Sequence, residues 1–374
     1  MKKVPAVFMR GGTSKGLFFR AADLPDSPAA RDALFLAAMG SPDQYGSQLN
    51  GMGGGLSSLS KIAIVDKSAR ADCDVDFTFG QVLVKRPLVE YGANCGNLSS
   101  AVGPFAVDEG LVAVADGDVC VRIHNTNTGK IIHAHFPVEH GESKADGDFV
   151  IPGIDGHGAK ISLDFLDPAG SACSALLPTG NSVDTLRLAD GSDIAVSLID
   201  ASMPMVFVEA AAFGLDGSEL PADIESDRQR MQRLDEVRRL GAVAMGLADA
   251  PENASLAIPK IAMVAGPRRF KAISGTVFQS ADANISVRVL SMENAHLAVP
   301  LTSTLCVAVA MQIDGSLPNR LAAPGAGTLM IANPSGLLPV DAKVLKTADG
   351  WLVERATVYR TARRLFEGRL VLPY

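Results

Sequence analysis

The chain has 374 residues, of which 47% are hydrophobic and 20% are charged, a composition typical of a globular protein. Its length predicts two domains, or three, rather than one. The net charge of -7 and the aromatic content of 5% argue against a nucleic-acid-binding surface, so an anionic ligand would need a local pocket of amides and cations.

Strand patterns dominate the N-terminal part of the chain. Val, Ile and Phe are enriched, or alternate with polar residues, in segments 4–9, 59–65, 74–84, 118–125 and 131–138. Helices are predicted at 27–40, 97–107, 227–246 and 302–313. The first has Ser27 as its N-cap and Gly40 as its stop signal. Strands with a few helices in this order predict the α+β class rather than a doubly wound parallel sheet.

Three segments recur in the same order along the chain. SKIAIV at 60–65 returns as PKIAMV at 259–264, segment 6–25 resembles 198–217, and segment 94–112 resembles 301–317. The repeat predicts two related halves, 1–184 and 185–374. The loop 176–184 contains Pro and Gly and suits such a joint.

Cys95 lies in NCGN, directly before the second predicted helix. The free N–H groups of the first helical turn and the positive end of the helix dipole lie there. They favour the thiolate and can hold a carboxylate or enolate oxygen. Burial as a small hydrophobic side chain is the commoner fate of a cysteine. Asn94, Gly96 and Asn97 offer donors rather than packing, and from this stretch alone the two interpretations are balanced.

Lys61 begins the apolar strand pattern KIAIV. Partial desolvation at such a position favours the neutral amine that a general base needs. A lysine at a solvated strand end is the alternative, and it is the commoner one for such a residue in isolation.

Two glycine-rich stretches, 9–19 and 50–65, combine glycines with hydroxyls. Gly54 and Gly55 would let a ligand approach the backbone closely, and Thr13, Ser14 and Ser57 supply hydroxyl groups. Neither stretch has P-loop spacing, so a nucleotide site is not expected, and ordinary turns are the default interpretation.

Metal and membrane signals are weak. The five cysteines are odd in number and include no CxxC pair, which fits neither a disulfide framework nor a zinc site. His133 and His135 share one face of a predicted strand; a metal pair is one interpretation, and a solvated strand face is the commoner one. We therefore expect no metal and no cofactor. No apolar run reaches the roughly 18 residues of a membrane span, so we expect a cytoplasmic protein without a membrane partner.

Together, MRGGTSKG, GMGG followed by SSLSK, DVDFTFGQV and NCGNLSSAVGPFAV resemble the PrpF family, the 2-methylaconitate isomerases. LPTGNSVD, PKIAMVA, LSMENAH and EGRLVLP extend the resemblance over nearly the whole chain. It implies a diaminopimelate epimerase-like α+β fold of two similar halves, each a central helix wrapped by β-strands, with the active site in the cleft between them. It also implies a cofactor-independent isomerase whose lysine and cysteine acid–base pair falls on Lys61 and Cys95.

We expect further residues near that pair to bind the substrate carboxylates. They are Thr13, Ser14, Lys15, Gly54, Gly55, Ser57, Asn94, Gly96, Asn97, Thr302 and Ser303. Arg10 could add charge, although a structural role is as common for such a residue. Leu301 stands where the family's second central helix often opens with glycine, which leaves the second half of the pocket and the exact substrate open.

The expected reaction is cis–trans isomerisation of 2-methylaconitate or aconitate through a dienolate. 4-Oxalomesaconate tautomerisation and methylitaconate isomerisation are alternatives. A non-catalytic carboxylate-binding protein is a further alternative, against which the presence of both Lys61 and Cys95 argues. A racemase would want a second thiol where this chain has Thr302 to Thr304. The expected partner is a small di- or tricarboxylate, a homodimer stays open, and the residues do not show which of the pair is the base.

Overall fold

The computed structural model describes residues 2–92, 94–325, 327–348 and 350–372. Residue contacts divide the chain into two compact units, Met1–Phe165 with Tyr359–Tyr374, and Leu166–Val358. The C-terminal segment therefore belongs to the first unit. The domain bounds taken from the repeat, 1–184 and 185–374, stay a prediction.

The helices confirm the four predicted segments to within three residues at each end, and two short helices with proline in their first turn were not predicted. They are α1 Pro28–Met39, α2 Gly96–Asp108, α3 Pro221–Glu225, α4 Arg228–Ala244, α5 Leu301–Ala310 and α6 Leu317–Leu321. Ser27 precedes α1 as predicted, and Gly40 ends the helix in the left-handed conformation with φ of 74°.

The strands include all five predicted segments. They are β1 Lys2–Gly11, β2 Ser14–Arg20, β3 Lys61–Lys67, β4 Val75–Val82, β5 Val89–Glu90, β6 Gly117–Asn125, β7 Ile131–Glu139, β8 Glu142–Ser143, β9 Ile161–Leu166, β10 Asp184–Arg187, β11 Asp193–Asp200, β12 Pro204–Glu209, β13 Lys260–Ala265, β14 Phe270–Lys271, β15 Val277–Phe278, β16 Ile285–Ser291, β17 Asn294–Ala295, β18 Leu329–Asn333, β19 Gly336–Thr347, β20 Gly350–Arg360 and β21 Ala362–Leu372.

In the first unit the main strands pair in the order β21-β1-β2-β3-β4-β6-β7-β9. The β2–β3 and β4–β6 pairs are parallel, and the other five pairs are antiparallel. Helix α1 connects β2 to β3, and α2 precedes β6.

In the second unit the order is β10-β11-β12-β13-β16-β18-β19-β20. The parallel pairs are β12–β13 and β16–β18, so the succession of strand directions is the same as in the first unit. The matching strands β3 and β13 carry SKIAIV and PKIAMV, and α5 precedes β18 as α2 precedes β6. The α+β class and the two similar halves are confirmed.

Helix α2 is the central helix of the first unit. It contacts β1, β2, β3, β6 and β7, and eleven of its thirteen residues are buried, which is why its sequence is apolar or small on every side. Phe105 anchors it against Phe18 on β2, with ring centroids 5.4 Å apart. Among the described helices, none is long and apolar enough to cross a membrane.

Replacing Phe105 by Ala should lower the free energy of unfolding by about 3–5 kcal/mol, because a buried ring is removed from the centre of the unit. Phe366→Ala is the matched control, since Phe366 lies in the same unit but is 51% exposed. Urea unfolding followed by circular dichroism measures both variants. If both variants lose the same free energy of unfolding, the packing of α2 does not dominate the stability of this unit.

Candidate active site

Lys61 occupies the first position of β3, and its side chain is held in the interior. The residue is 9% exposed, and its Nζ lies 4.9 Å from the centroid of the Phe79 ring. Gly16 lies opposite it in the parallel β2–β3 pair, where any side chain would collide with the Lys61 backbone. The amine is therefore brought to the apolar strand start that the sequence predicts.

Gln81 on β4 is the hydrogen-bond partner of this amine. Lys61 Nζ donates to Gln81 Oε1 over 3.0 Å. Gln81 Nε2 in turn donates to the carbonyl oxygens of Ser57, Ser60 and Val82, at 3.1, 3.0 and 3.3 Å. Since only the NH2 group can donate to carbonyls, these three acceptors fix the amide so that its oxygen faces the lysine. The amine thus has a neutral acceptor rather than a carboxylate.

Cys95 is the N-cap residue of α2, with φ and ψ of -114° and 92°. It is 9% exposed, and its carbonyl accepts the hydrogen bond from Ser99 N that opens the helix. The thiol consequently lies beside the first-turn amides of Gly96 and Asn97, which a helix cannot satisfy internally.

One cavity of about 460 Å³ brings the lysine and the cysteine together within the first unit. Its lining consists of Lys61, Phe79, Gln81, Glu90, Tyr91, Gly92, Asn94 and Cys95. The volume is in the range of small-molecule sites. Lys61 and Cys95 are 34 residues apart in sequence, so β3, β4 and the start of α2 are needed to assemble this pair.

Three asparagines, of which Asn125 is buried, support the segment that leads into α2. Asn94 Oδ1 accepts hydrogen bonds from Ser99 Oγ at 3.3 Å and from Asn125 Nδ2 at 3.2 Å. Asn127 Nδ2 donates to Tyr91 O at 2.8 Å, and its Oδ1 accepts from the backbone of β4 at 2.7 Å. These bonds fix the approach to Cys95 relative to the strand that carries Gln81.

Tyr91 is a second anchor of the same segment. Its hydroxyl donates to Asp32 Oδ1 on α1 over 2.5 Å. Burial and the neighbouring Asp32 carboxylate raise the pKa of Tyr91, so the phenol keeps its proton and the bond to α1 persists over the working pH range.

The turn between β1 and β2 packs directly on the start of α2. Gly12 has φ of 51°, and a side chain at this position would collide with Asn97. Asn97 Nδ2 donates to Thr13 Oγ1 at 3.1 Å, and Asn97 Oδ1 accepts from Arg360 Nε at 3.2 Å. Burial lowers the pKa of Arg360 to about 10, which still leaves the guanidinium charged at neutral pH. A cation therefore lies beside the anion-favouring end of α2.

The predicted residues of this turn lie in different places. Ser14 is buried on β2. Lys15 Nζ lies 5.6 Å from the Phe8 ring, and the residue is not part of the lining of the Lys61 and Cys95 cavity. Arg10 donates to the carbonyl oxygens of Gly12 and Thr361, at 3.0 and 2.9 Å, which is a structural role. The binding roles of Ser14 and Lys15 stay predictions.

The glycines of the second stretch pack around Gln48, a residue that the sequence did not single out. Gln48 Oε1 accepts from Gly55 N at 2.9 Å and from Ser60 Oγ at 2.6 Å. Gly55 has φ of 73°, and a side chain on Gly54 would meet Leu59. The backbone carbonyl of Ser57 accepts a hydrogen bond from Gln81 Nε2 and thereby helps to orient the Gln81 amide. The roles of Gly54, Gly55 and Ser57 towards a ligand stay predictions.

In the second unit, α5 begins at Leu301 with Pro300 as its N-cap residue, where α2 has Cys95. A racemase would use a second thiol at the matching helix start, and Pro300 occupies that position here. Thr302 and Ser303 fall in its first turn as predicted, and Ser303 Oγ is buried without a hydrogen-bond partner among the described residues. Their binding roles stay predictions.

Lys260 starts β13 as Lys61 starts β3, so the repeat also brings a lysine to this position of the second unit. Burial lowers the pKa of Lys260. Burial and the charge of Lys260 together lower the pKa of His296 to about 4.

Several of these residues carried no signal in the sequence. Gln81 lies on the alternating strand β4, and Asn127 lies in the turn between β6 and β7. A polar residue at either kind of position normally faces solvent, and only their contacts show that each bonds across the site. Arg360 is 263 residues from Asn97, a separation at which no local pattern could link them.

The fold is that of racemases and epimerases. A crystal structure of a hydroxyproline epimerase from Agrobacterium vitis superposes with a TM-score of 0.53 at 10% identity, covering 98% of this chain and 92% of that chain. At this identity the likeness concerns the fold alone, and it confirms the predicted epimerase-like class.

The chain belongs to the PrpF family, whose model, described as PrpF protein, matches residues 1–373. A 2-methyl-aconitate isomerase of Cupriavidus necator is 40% identical, with 99% of this chain and 97% of that protein aligned. A 4-oxalomesaconate tautomerase of Pseudomonas putida is 37% identical, over 98% of this chain and 95% of that protein. A crystal structure of a methylitaconate-delta-isomerase has a TM-score of 0.93 at 38% identity, over 99% and 95% of the two chains. The protein is an isomerase.

The pKa of His296 generates a pH prediction for the second unit. The pKa is about 4 in the folded protein and about 6.5 in an unfolded chain, so the unfolded state binds more protons between these values. The free energy of unfolding should therefore fall as the pH drops from about 6.5 to about 4. His296→Gln should flatten part of this fall, and His140→Gln, at an exposed histidine, should not. Urea unfolding followed by the fluorescence of Trp351, the single tryptophan, measures the effect in this unit. Parallel pH profiles for His296→Gln and the parent would contradict the assignment.

Proposed function

We propose that this isomerase interconverts the cis and trans forms of 2-methylaconitate or aconitate by moving a proton through a dienolate. The observation that carries the proposal is that Lys61 and Cys95, an amine and a thiol, line one cavity of suitable size. The identity of 40% to a protein named 2-methyl-aconitate isomerase supports this substrate class.

The reaction needs one proton removed and one returned. The base takes a proton from the carbon next to the double bond, and the released electron pair forms a new carbon–carbon double bond. The pair of the original double bond moves onto a carboxylate, which gives the dienolate. The original double bond is now single and can rotate, after which a returned proton restores the starting connectivity with the other geometry. A positioned acid or base contributes about 10²- to 10⁴-fold to such a step.

The developing negative charge needs donors that are already in place. The first-turn amides of α2, at Gly96 and Asn97, suit this purpose, and such groups are worth about 3 kcal/mol each in related sites. With a net charge of -7, the chain offers no general attraction for a tricarboxylate. Binding therefore depends on these amides, Lys61 and the nearby Arg360. Thr13 and Asn94 are further proposed carboxylate ligands, since both lie at the same helix start.

The test of substrate is an NMR assay in D2O with 2-methyl-trans-aconitate, trans-aconitate, 4-oxalomesaconate and methylitaconate. All four carry an acidic proton next to a carboxylated double bond, so the assay compares substrates rather than mechanisms. We expect the fastest turnover with 2-methylaconitate, together with deuterium incorporation. Faster turnover of 4-oxalomesaconate or methylitaconate would show that the proposed substrate is wrong, and the proton-transfer mechanism would still apply. Binding without proton exchange would contradict an isomerase mechanism at this site.

Lys61→Ala and Cys95→Ser should each reduce kcat by at least about 10²-fold while KM changes little, because each removes a proton-transfer group. Lys67→Ala, at the exposed end of the same strand, and Cys73→Ser, at another buried cysteine, are the matched controls. Circular dichroism confirms folding. If either folded variant of the pair keeps parental turnover, its residue is not a proton-transfer group.

Solvent exchange in the same variants identifies the base. A variant that still exchanges the substrate proton with D2O but no longer isomerises has kept the base and lost the acid. Such behaviour in Cys95→Ser assigns the base to Lys61, and in Lys61→Ala it assigns the base to Cys95.

Gln81→Glu should lower kcat at about pH 7 by at least about tenfold if Lys61 is the base, because a carboxylate 3.0 Å from Nζ stabilises the ammonium form. Activity should recover as the pH rises. Gln229→Glu adds the same charge at an exposed position and should leave the pH profile unchanged. A pH-independent loss in Gln81→Glu would instead indicate a purely steric effect.

A further inference from the structure

A cluster of side chains on the sheet of the first unit has the composition of a metal site. Among the described residues, Cys120 on β6 and His133 and His135 on β7 gather their ligand atoms within 4.8 Å of one another. Cys120 lies directly opposite His135 in the antiparallel β6–β7 pair. His133 is two positions earlier on the same strand and therefore on the same face.

A carboxylate on the neighbouring strand lies near His135 and is a candidate for a fourth ligand. Asp164 on β9 is paired with His133 in the β7–β9 register, and its Oδ2 lies 3.4 Å from His135 Nε2. The side chain of Asp164 is 17% exposed and that of His135 is 44% exposed. The cluster therefore spans three adjacent strands at a face that solvent ions can reach.

Arg122, two positions from Cys120 on β6 and therefore on the same face of the sheet, is engaged by a carboxylate. Arg122 is opposite His133 in the register, but its guanidinium bonds Asp74, with Nη2 to Oδ1 at 2.7 Å, and the carbonyl of Ala71 at 3.3 Å. Its charge is thus balanced by a carboxylate and does not need the ligands of the cluster.

We propose that Cys120, His133, His135 and Asp164 bind one zinc ion. A thiolate, two imidazoles and a carboxylate are the donors that zinc prefers, and four of them complete a tetrahedral site. The ligand atoms need to draw together slightly, which rotamer changes of partly exposed side chains allow. On binding, Cys120 and His135 release to solvent the protons that their ligand atoms carry, so that zinc–sulfur and zinc–nitrogen bonds replace the S–H and N–H bonds.

The ion would join β6, β7 and β9 and stabilise this edge of the first unit. None of its four ligands lines the cavity that contains Lys61 and Cys95, so the proposed site is separate from the proton-transfer pair. Cys120 and Asp164 distinguish this cluster from the solvated strand face that two alternating histidines alone indicate.

The test uses the full chain, freed of metal with a chelator and titrated with ZnCl2 in competition with a chromophoric zinc chelator. We expect one equivalent to bind with a Kd below about 1 μM. Cys120→Ser and His135→Ala should each weaken binding by at least about tenfold. Cys173→Ser and His140→Ala, which change a partly exposed cysteine and an exposed histidine elsewhere, should bind as the parent does.

Cobalt provides a second measurement, which reports the ligand type rather than the strength of zinc binding. CoCl2 added to the parent should give a thiolate-to-cobalt charge-transfer band, and Cys120→Ser should lose it. Zinc should also raise the melting temperature of the parent and not that of His135→Ala. Circular dichroism shows whether each variant is folded.

Three outcomes would overturn the proposal. They are the absence of stoichiometric binding, binding that Cys120→Ser and His135→Ala leave unchanged, and binding that Cys95→Ser abolishes but Cys120→Ser retains. The last would place the ion in the Lys61 and Cys95 cavity instead. Because the readouts are binding, absorption and melting temperature, the result stands whatever the substrate proves to be.

Discussion

The amides at the start of α2 are the constraint on which the first unit depends. A helix cannot satisfy its own first N–H groups, and here those groups lie beside a cysteine that is 9% exposed. Burying such amides without partners would cost a lost hydrogen bond each. The side chains around this helix start are polar: Asn97 donates to Thr13 in the glycine turn and accepts from Arg360. In the proposed reaction a carboxylate of the substrate would accept hydrogen bonds from these amides.

Local chemistry was enough to predict the elements that position this site. The glycine that ends α1, the apolar run of α2 and the alternation in β3 and β4 are each determined within a few neighbouring residues, so their bounds follow from the sequence. The repeat was also readable, because short strand motifs such as SKIAIV and PKIAMV keep their order. The pairing of Lys61 with Cys95 followed from resemblance, since no local pattern relates two residues on different elements.

The partners of these residues could not be predicted for the same physical reason. Gln81 is 20 residues from Lys61, Asn127 is 36 from Tyr91, and Arg360 is 263 from Asn97. Such contacts depend on strand register, and a polar residue on an alternating strand looks the same whether it faces water or a buried amine. The glycines at 54 and 55 illustrate a different case. Their pattern alone favoured ordinary turns, and in the structure Gly55 donates its N–H to the buried Gln48.

The pairing of β1 with β21 has a consequence for the order of events during protein synthesis. Strand β21, which pairs with β1 at one edge of the first unit, is synthesised after all of residues 166–358. Until then β1 can pair only with β2, and its other edge is uncovered. Most of the second unit is therefore made before the first unit can be completed, which differs from the usual N-to-C order of domain folding. An uncovered edge strand is also a template for pairing with other chains. A truncation that removes only the last dozen residues would therefore leave the unit that contains Lys61 and Cys95 open at its edge, even though both residues were made early.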